Sequence, residues 1–127
     1  MKAKNDDACL VEPKVNLTKE NRKQKIRDLN DILRKSGCGG KTLIADGIVT
    51  RGPDFAQAVL KAVQTFNAFS DANDPWGEHD FGSLMVQHQR INWKIDYYNK
   101  TATGHSSDPA SNTLTLRVLT IMLAEEY

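Results

Sequence analysis

The sequence predicts an α+β domain in which helices pack on a small, mainly antiparallel sheet of about three strands, in the order α-β-α-β-β-α. Three observations lead to this prediction. Two segments carry apolar residues at helical spacing, two adjacent segments between residues 81 and 98 have the pattern of a hairpin, and an apolar stretch closes the chain. A chain of 127 residues suits a single domain with one core.

The N-terminal part of the chain divides into an arm and a helix. Residues 1–17 are polar and interrupted by Pro13, so we expect a flexible arm there and one domain at residues 18–127. Thr18 is a suitable N-cap for the first helix, and glycines from Gly37 onward end it. The helix has a stripe of apolar residues at helical spacing: Ile26, Leu29, Ile32 and Leu33.

The opposite side of this first helix is expected to be exposed and basic. Its positive residues are Arg22, Lys23, Lys25, Arg27, Arg34 and Lys35. Such a face is either simply solvated or a docking face for an acidic partner or a phosphate backbone.

The middle of the chain predicts a β element followed by a helix. Residues 42–50 have strand composition, with a turn or bulge at Asp46-Gly47. Gly52 and Pro53 then open a second helix, whose apolar stripe consists of Phe55, Val59, Ala62, Val63 and Phe66.

The last third of the chain predicts a hairpin and a final helix. Residues 81–86 and 91–98 form the two strands, and the second alternates strictly, with Trp93 and Tyr97 on the core side. Lys94, Asp96 and Tyr98 share the other face, as a surface ladder or a contact patch. From about Thr113 the apolar residues cover more than one stripe, so we expect a helix largely buried against the sheet.

Residues 71–80, called here the acidic loop, hold the densest potential chemistry: Asp74, Trp76, Glu78, His79 and Asp80. In one interpretation the loop is structural, with carboxylates capping backbone amides and Trp76 anchored in the core. In a second interpretation it is a binding surface. In a third it is a metal or acid–base site, with Asp74, Glu78 and Asp80 as ligands. On a strand, His79 would face away from both neighbours.

Composition excludes several classes of protein. The net charge of +1 argues against a DNA mimic and against binding of nucleic acid by global basicity. No apolar run approaches the roughly 20 residues that span a bilayer. Cys9 and Cys38 do not form a C-x-x-C pair, so we expect two reduced thiols in a cytoplasmic protein. No resident cofactor or metal is expected.

Three strings carry a resemblance to a known family: NDPWGEHDFG at residues 73–82, WKIDYY at 93–98 and RVLTIMLAEEY at 117–127. They resemble the signature of short, uncharacterised bacterial proteins found mainly on plasmids and other mobile elements, and Leu29-Asn30-Asp31 resembles the opening of that family. The resemblance covers roughly residues 29–127. It implies a domain with no assigned activity and a gene neighbourhood of conjugation and anti-restriction functions.

Two hypotheses about function follow. The first is a mobile-element accessory protein that binds a host defence complex, a CRISPR or restriction complex, and inhibits it. The basic helix and the acidic loop would supply electrostatic steering, and Trp76 or Tyr98 would act as anchors. The alternative is a small metal-dependent hydrolase or nuclease using the acidic loop. Direct nucleic-acid binding is possible but not favoured, because the net charge is nearly zero.

Overall fold

The computed structural model describes the backbone of residues 19–127 and the side chains of residues 20–127. The predicted arm at residues 1–17 and the Thr18 cap lie outside this range. The described part of the chain contains three α-helices and a four-stranded mixed sheet, which confirms the predicted α+β class. The elements in order are α1 (Lys19–Ser36), β1 (Lys41–Ile44), α2 (Asp46–Val49), α3 (Pro53–Gln64), β2 (Phe81–Val86), β3 (Gln89–Tyr98), β4 (Leu116–Leu123) and a 3-10 helix (Ala124–Glu126).

The sheet has the strand order β1-β4-β3-β2 and is mostly antiparallel. β3 pairs antiparallel with both β2 and β4, whereas β1 pairs parallel with β4. The predicted hairpin is confirmed, because β2 and β3 are joined directly at Gln87 and His88. Both residues have positive φ, 50° and 69°, which is the geometry a two-residue hairpin turn requires.

The final helix predicted from Thr113 is wrong, because residues 116–123 form strand β4. β4 lies between β1 and β3 and is buried on both faces, so apolar residues occupy successive positions instead of alternating. Such a run resembles a buried helix segment in sequence. Its length of eight residues and its β-branched Val118, Thr120 and Ile121 are the features that favour a strand.

The β element predicted at residues 42–50 is shorter than expected. The strand ends at Ile44, and Asp46–Val49 forms the short helix α2 in place of a turn or bulge. The first turn of α2 is stabilised from a distance, since the Gly47 N–H donates to the Glu126 carboxylate at 2.8 Å. A helix N-terminus has N–H groups without intrahelical acceptors, and Glu126 supplies one.

The core lies between one face of the sheet and the helices α1 and α3. Its fully buried members include Leu33 from α1, Val59 and Val63 from α3, and Trp93 from β3. Gly82 of β2 lies opposite Trp93, and a Cβ at Gly82 would lie 2.3 Å from the indole Nε1. The core therefore requires glycine at position 82.

Ile32 and Cys38 differ from what the sequence predicts. Within the predicted α1 stripe, Ile26, Leu29 and Leu33 are buried, but Ile32 is 40% exposed. Cys38 is disulfide-bonded, so the expectation of free thiols is wrong at this residue. Separately, none of the helices in the described range is long and apolar enough to cross a bilayer.

Candidate functional site

The acidic loop lies against α1 and is attached to it through His79. The His79 Nδ1 donates to the Asp31 carboxylate, at 2.9 Å from Oδ1. The imidazole also stacks on Phe69, with ring centroids 3.7 Å apart and planes 5° from parallel. A hydrogen bond to a charged group and an aromatic stack together fix both the position and the plane of the ring.

The backbone of the loop is held from within by Asp74. This buried carboxylate accepts from the His79 backbone N–H at 3.1 Å, and the Gly77 N–H donates to the Asp74 carbonyl at 3.0 Å. These bonds hold His79 at a φ of 56°, a conformation that non-glycine residues adopt rarely. Such strain persists only where the surrounding contacts determine the conformation.

A second polar network connects the loop to the sheet and to α1. Tyr97 of β3 donates to Glu78 Oε1 at 2.8 Å and accepts from Asn30 Nδ2, also at 2.8 Å. Asn30 in addition donates to the Glu78 backbone carbonyl at 2.9 Å, and its Oδ1 accepts from Arg117 at 2.7 Å. Asn30 and Arg117 are fully buried, so their polar groups depend on hydrogen bonds from within the protein.

The Asp80 carboxylate lies in a half-buried and negatively charged environment. Burial first, and then the nearby Glu78 carboxylate, raise the pKa of Asp80 above its ordinary value of 3.8. The Asp80 carbonyl accepts from the Ile95 N–H at 2.8 Å, so the loop joins the β2–β3 ladder at this residue. Ionisation of the Asp80 carboxylate therefore lowers the stability of the folded protein. The backbone of Asp80 is held in place by the bond to Ile95.

The side chains of the acidic loop point in the opposite directions from those expected in the structural interpretation of the sequence. Asp74 is buried and bonds to His79 within the loop, and Glu78 bonds to Tyr97 of β3, whereas Trp76 is 71% exposed. The expectation that Trp76 anchors the loop in the core is therefore wrong. The expectation that carboxylates cap local backbone amides is confirmed at Asp74. His79 does not lie on a strand, because β2 begins at Phe81.

Lys23 of α1 lies beside Gly77, the residue that follows the exposed Trp76. The Lys23 Cδ is 3.4 Å from the position that a Cβ on Gly77, the neighbour of Trp76, would occupy. The Lys23 side chain is 42% exposed and makes a long ion pair of 3.7 Å with Glu20. The aliphatic part of the Lys23 side chain therefore packs against the loop one residue after Trp76.

The predicted basic face of α1 is partly correct. Five of the six cations are exposed or half-buried: Arg22, Lys23, Lys25, Arg27 and Lys35. Arg34 is an exception and corrects the prediction, since it is only 2% exposed. Its guanidinium donates to the carbonyls of Val63 and Phe66, at 3.0 and 2.8 Å, and to Asp31 at 3.0 Å. Arg34 therefore connects the C-terminal end of α3 to α1 rather than facing a partner.

The predicted patch on β3 lies on the face of the sheet opposite the core. Lys94 and Asp96 form an ion pair of 2.9 Å there, and this hydrogen bond raises the pKa of Lys94. Tyr98 is half-buried on the same face, because it alternates with Tyr97.

The arrangement is built for holding a loop rather than for proton transfer. His79 lies at the side of a cleft of about 510 Å³, together with Asp31, Arg34 and Phe69. However, its Nδ1 is bonded to Asp31 and its Nε2 faces buried Asp74 at 3.7 Å. A general base needs a nitrogen within reach of a substrate proton. As for a metal, within residues 19–127 no three His, Cys, Asp or Glu side chains are grouped so that they could hold one, Asp74, Glu78 and Asp80 included.

The sequence interpretation missed four residues that build this site: Asn30, Asp31, Phe69 and Arg117. Two of them carry a recognisable signal. Asn30 occupies a position in line with the buried Ile26 and Leu33. Arg117 is a charged residue between apolar Leu116 and Val118. Polar residues at positions that pattern as core are normally hydrogen-bonded to one another or to the backbone.

The comparison with known families identifies the chain. The model of a family described as a protein of unknown function, DUF3768, matches residues 44–126. The chain belongs to the DUF3768 family. The match includes the acidic loop and all strands except most of β1, but not α1 or the Leu29-Asn30-Asp31 opening. No curated protein and no solved structure matches the chain.

Proposed function

We propose that this DUF3768 protein binds a host defence complex, a CRISPR effector or a restriction enzyme, and inhibits it through the surface around Trp76. The observation that carries the proposal is an indole 71% exposed on a loop held by hydrogen bonds to α1 and β3. Tryptophan is enriched among the residues that contribute most to binding between proteins.

The contacts that hold the loop in place support a role in binding. Association costs less when the contact residues are already ordered in the free protein. Trp76 lies between Asp74 and His79, which are both fixed by side-chain contacts, so its backbone position is set before a partner arrives.

The choice of a defence complex comes from the resemblance in the strings at residues 73–82, 93–98 and 117–127. Proteins carried on plasmids and other mobile elements encounter restriction and CRISPR complexes on entering a host. A protein surface is favoured over nucleic acid as the partner. Two of the cations on α1 already face a carboxylate, Arg22 with Asp108 at 2.6 Å and Lys23 with Glu20.

The test compares two variants that each remove a large exposed apolar side chain. Trp76→Ala changes the acidic loop, whereas Met85→Ala changes β2 at a residue 54% exposed. Each variant is expressed in strains with an active CRISPR or restriction system, and transformation by a targeted plasmid is counted. Wild type and Met85→Ala are expected to raise transformation, and Trp76→Ala is expected to lose the effect while remaining folded.

Two outcomes count against the proposal. If the wild type protects no targeted plasmid in any of these strains, the inhibitory function is wrong. If wild type and Trp76→Ala protect equally, inhibition stands but the surface around Trp76 is not the binding site. If Trp76→Ala loses the effect as expected, direct binding to a purified effector is measured through Trp76 fluorescence, which should shift to shorter wavelength as the indole leaves water.

A further inference from the structure

β1 is an edge strand whose outer side has no hydrogen-bond partner among residues 19–127. Within that range the strand next to it in the sheet is β4. The N–H of Ala45 donates to Ile121 of β4 at 2.9 Å, so by strand alternation the N–H of Leu43 also points toward β4. The N–H and C=O groups of Thr42 and Ile44 therefore point away from the sheet. They offer two donors and two acceptors to an added strand.

An apolar cleft of about 370 Å³ lies beside this edge, on the side of the sheet that faces the helices. Thr42 and Ile44 line it together with Leu33, Leu60 and Leu119. At about 30 Å³ for each water, its volume corresponds to about twelve water molecules, which is room for aliphatic side chains. The same two residues that present free backbone groups thus also border an apolar cavity.

The charge at the N-terminal end of the edge is positive, whereas exposed Asp46 follows its C-terminal end. Lys41 is an exposed residue of β1 itself, and Lys35 and Lys61 lie in the last turns of the two helices that border the cleft. None of the residues lining the cleft is acidic. A lysine on an edge strand discourages indiscriminate pairing, and it favours a strand that carries carboxylates.

We propose that the free edge of β1 is a second binding site, at which an extended segment of a partner protein adds to the sheet. The segment alternates apolar and acidic side chains. Its backbone pairs with Thr42 and Ile44, its apolar side chains enter the cleft beside Leu60 and Leu119, and its carboxylates lie near Lys41. In strand addition, main-chain bonds supply affinity and pockets for alternate side chains supply specificity.

This site is independent of the surface around Trp76. β1 and β2 are the two opposite edges of the sheet, and the acidic loop leads into β2. A partner bound at one edge therefore leaves the other accessible. The two proposals can fail separately.

The test uses a fluorescein-labelled octapeptide of alternating valine and glutamate, titrated with the full chain and followed by fluorescence anisotropy. Three matched probes accompany it: the same peptide with N-methyl groups on alternate residues, in both registers, and a valine–lysine peptide. The valine–glutamate peptide is expected to bind saturably. Loss of a single main-chain bond is expected to weaken binding about tenfold, so N-methylation in one register and the lysine peptide should each bind at least that much more weakly.

Two variants of β1 locate the peptide on the protein. Thr42→Pro removes an outward N–H, which an edge strand tolerates, and should weaken binding about tenfold. Thr42→Val keeps the N–H and the branched shape and should bind like wild type. Trp76→Ala should also bind like wild type. If Thr42→Pro does not fold, the N-methylated peptides against wild type decide the question.

The proposal is overturned if the valine–glutamate peptide shows no saturable binding, or if N-methylation weakens binding in neither register. It is also overturned if sedimentation shows that wild type self-associates through this edge. In that case wild type forms a dimer, Thr42→Pro does not, and the peptide does not bind. The edge would then be the binding site for a second copy of the chain.

Discussion

Replacement of His79 by alanine should destabilise the protein far more than replacement of His88. Both histidines have positive φ, 56° and 69°, so each substitution meets a similar backbone requirement. Only His79 has described side-chain contacts, a hydrogen bond to Asp31 and a stack on Phe69. The difference between the two variants therefore isolates the side-chain contribution of His79.

The magnitude follows from these two contacts. A hydrogen bond to a charged group contributes about 1.5–3 kcal/mol, and an aromatic pair about 0.5–1.5 kcal/mol. His79→Ala should lower the free energy of unfolding by about 2–4 kcal/mol, a large part of the roughly 5–15 kcal/mol typical of a domain. His88→Ala should stay within about 1 kcal/mol of wild type, since its exposed ring makes no hydrogen bond or ring contact within residues 19–127.

The assay is urea unfolding followed by tryptophan fluorescence in a Trp76→Phe background. The chain has two tryptophans, so this background leaves buried Trp93 as the only reporter. With a slope of about 1–3 kcal/mol per molar urea, a loss of about 3 kcal/mol moves the midpoint by about 1–3 M. Equal losses for His79→Ala and His88→Ala would refute the reasoning that the ring of His79 holds the loop.

Two further predictions concern the polar contacts of the loop. Tyr97→Phe should lower the free energy of unfolding by about 1–2 kcal/mol, because the phenol bonds to Glu78 and Asn30 are lost. Burial raises the pKa of Tyr97 above its ordinary value, so the phenol stays a neutral donor and the loss measured by urea unfolding should be constant between about pH 7 and 9. Asp80→Asn should stabilise the protein at pH 7, because a raised pKa means that folding disfavours the ionised carboxylate. This gain should fade as the pH drops below about 4, where Asp80 is protonated in both states, and a gain that persists at pH 3 would contradict the cause assigned.

The sequence predicts those parts of the fold that follow a local period. The β2–β3 hairpin is predictable because β3 is buried on one face only, so Trp93 and Ile95 alternate with Lys94 and Asp96. β4 was not predicted because its neighbours in space, β1 and β3, bury both of its faces and erase the alternation. That information lies in strand order, which no local window contains.

The site follows the same rule. Composition draws attention to the acidic loop, but it does not determine the direction of the side chains of the loop. Glu78 turns inward because Tyr97 and Asn30, 19 and 48 residues away, offer it hydrogen bonds. Trp76 is left outside because Asp74 and His79 on either side of it occupy the inward positions.

The dependence of the loop on α1 determines which stretch of the chain is a complete structural unit. The segment that matches the family, residues 44–126, contains the acidic loop but not Asn30 or Asp31, to which the loop is bonded. It also lacks Leu33, a fully buried member of the core. A shortened chain cut at the family boundary would therefore keep the loop's sequence and lose its scaffold. A substitution at Asn30 or Asp31 would likewise remove hydrogen bonds that hold the loop at Glu78 and His79, 48 positions later in the chain.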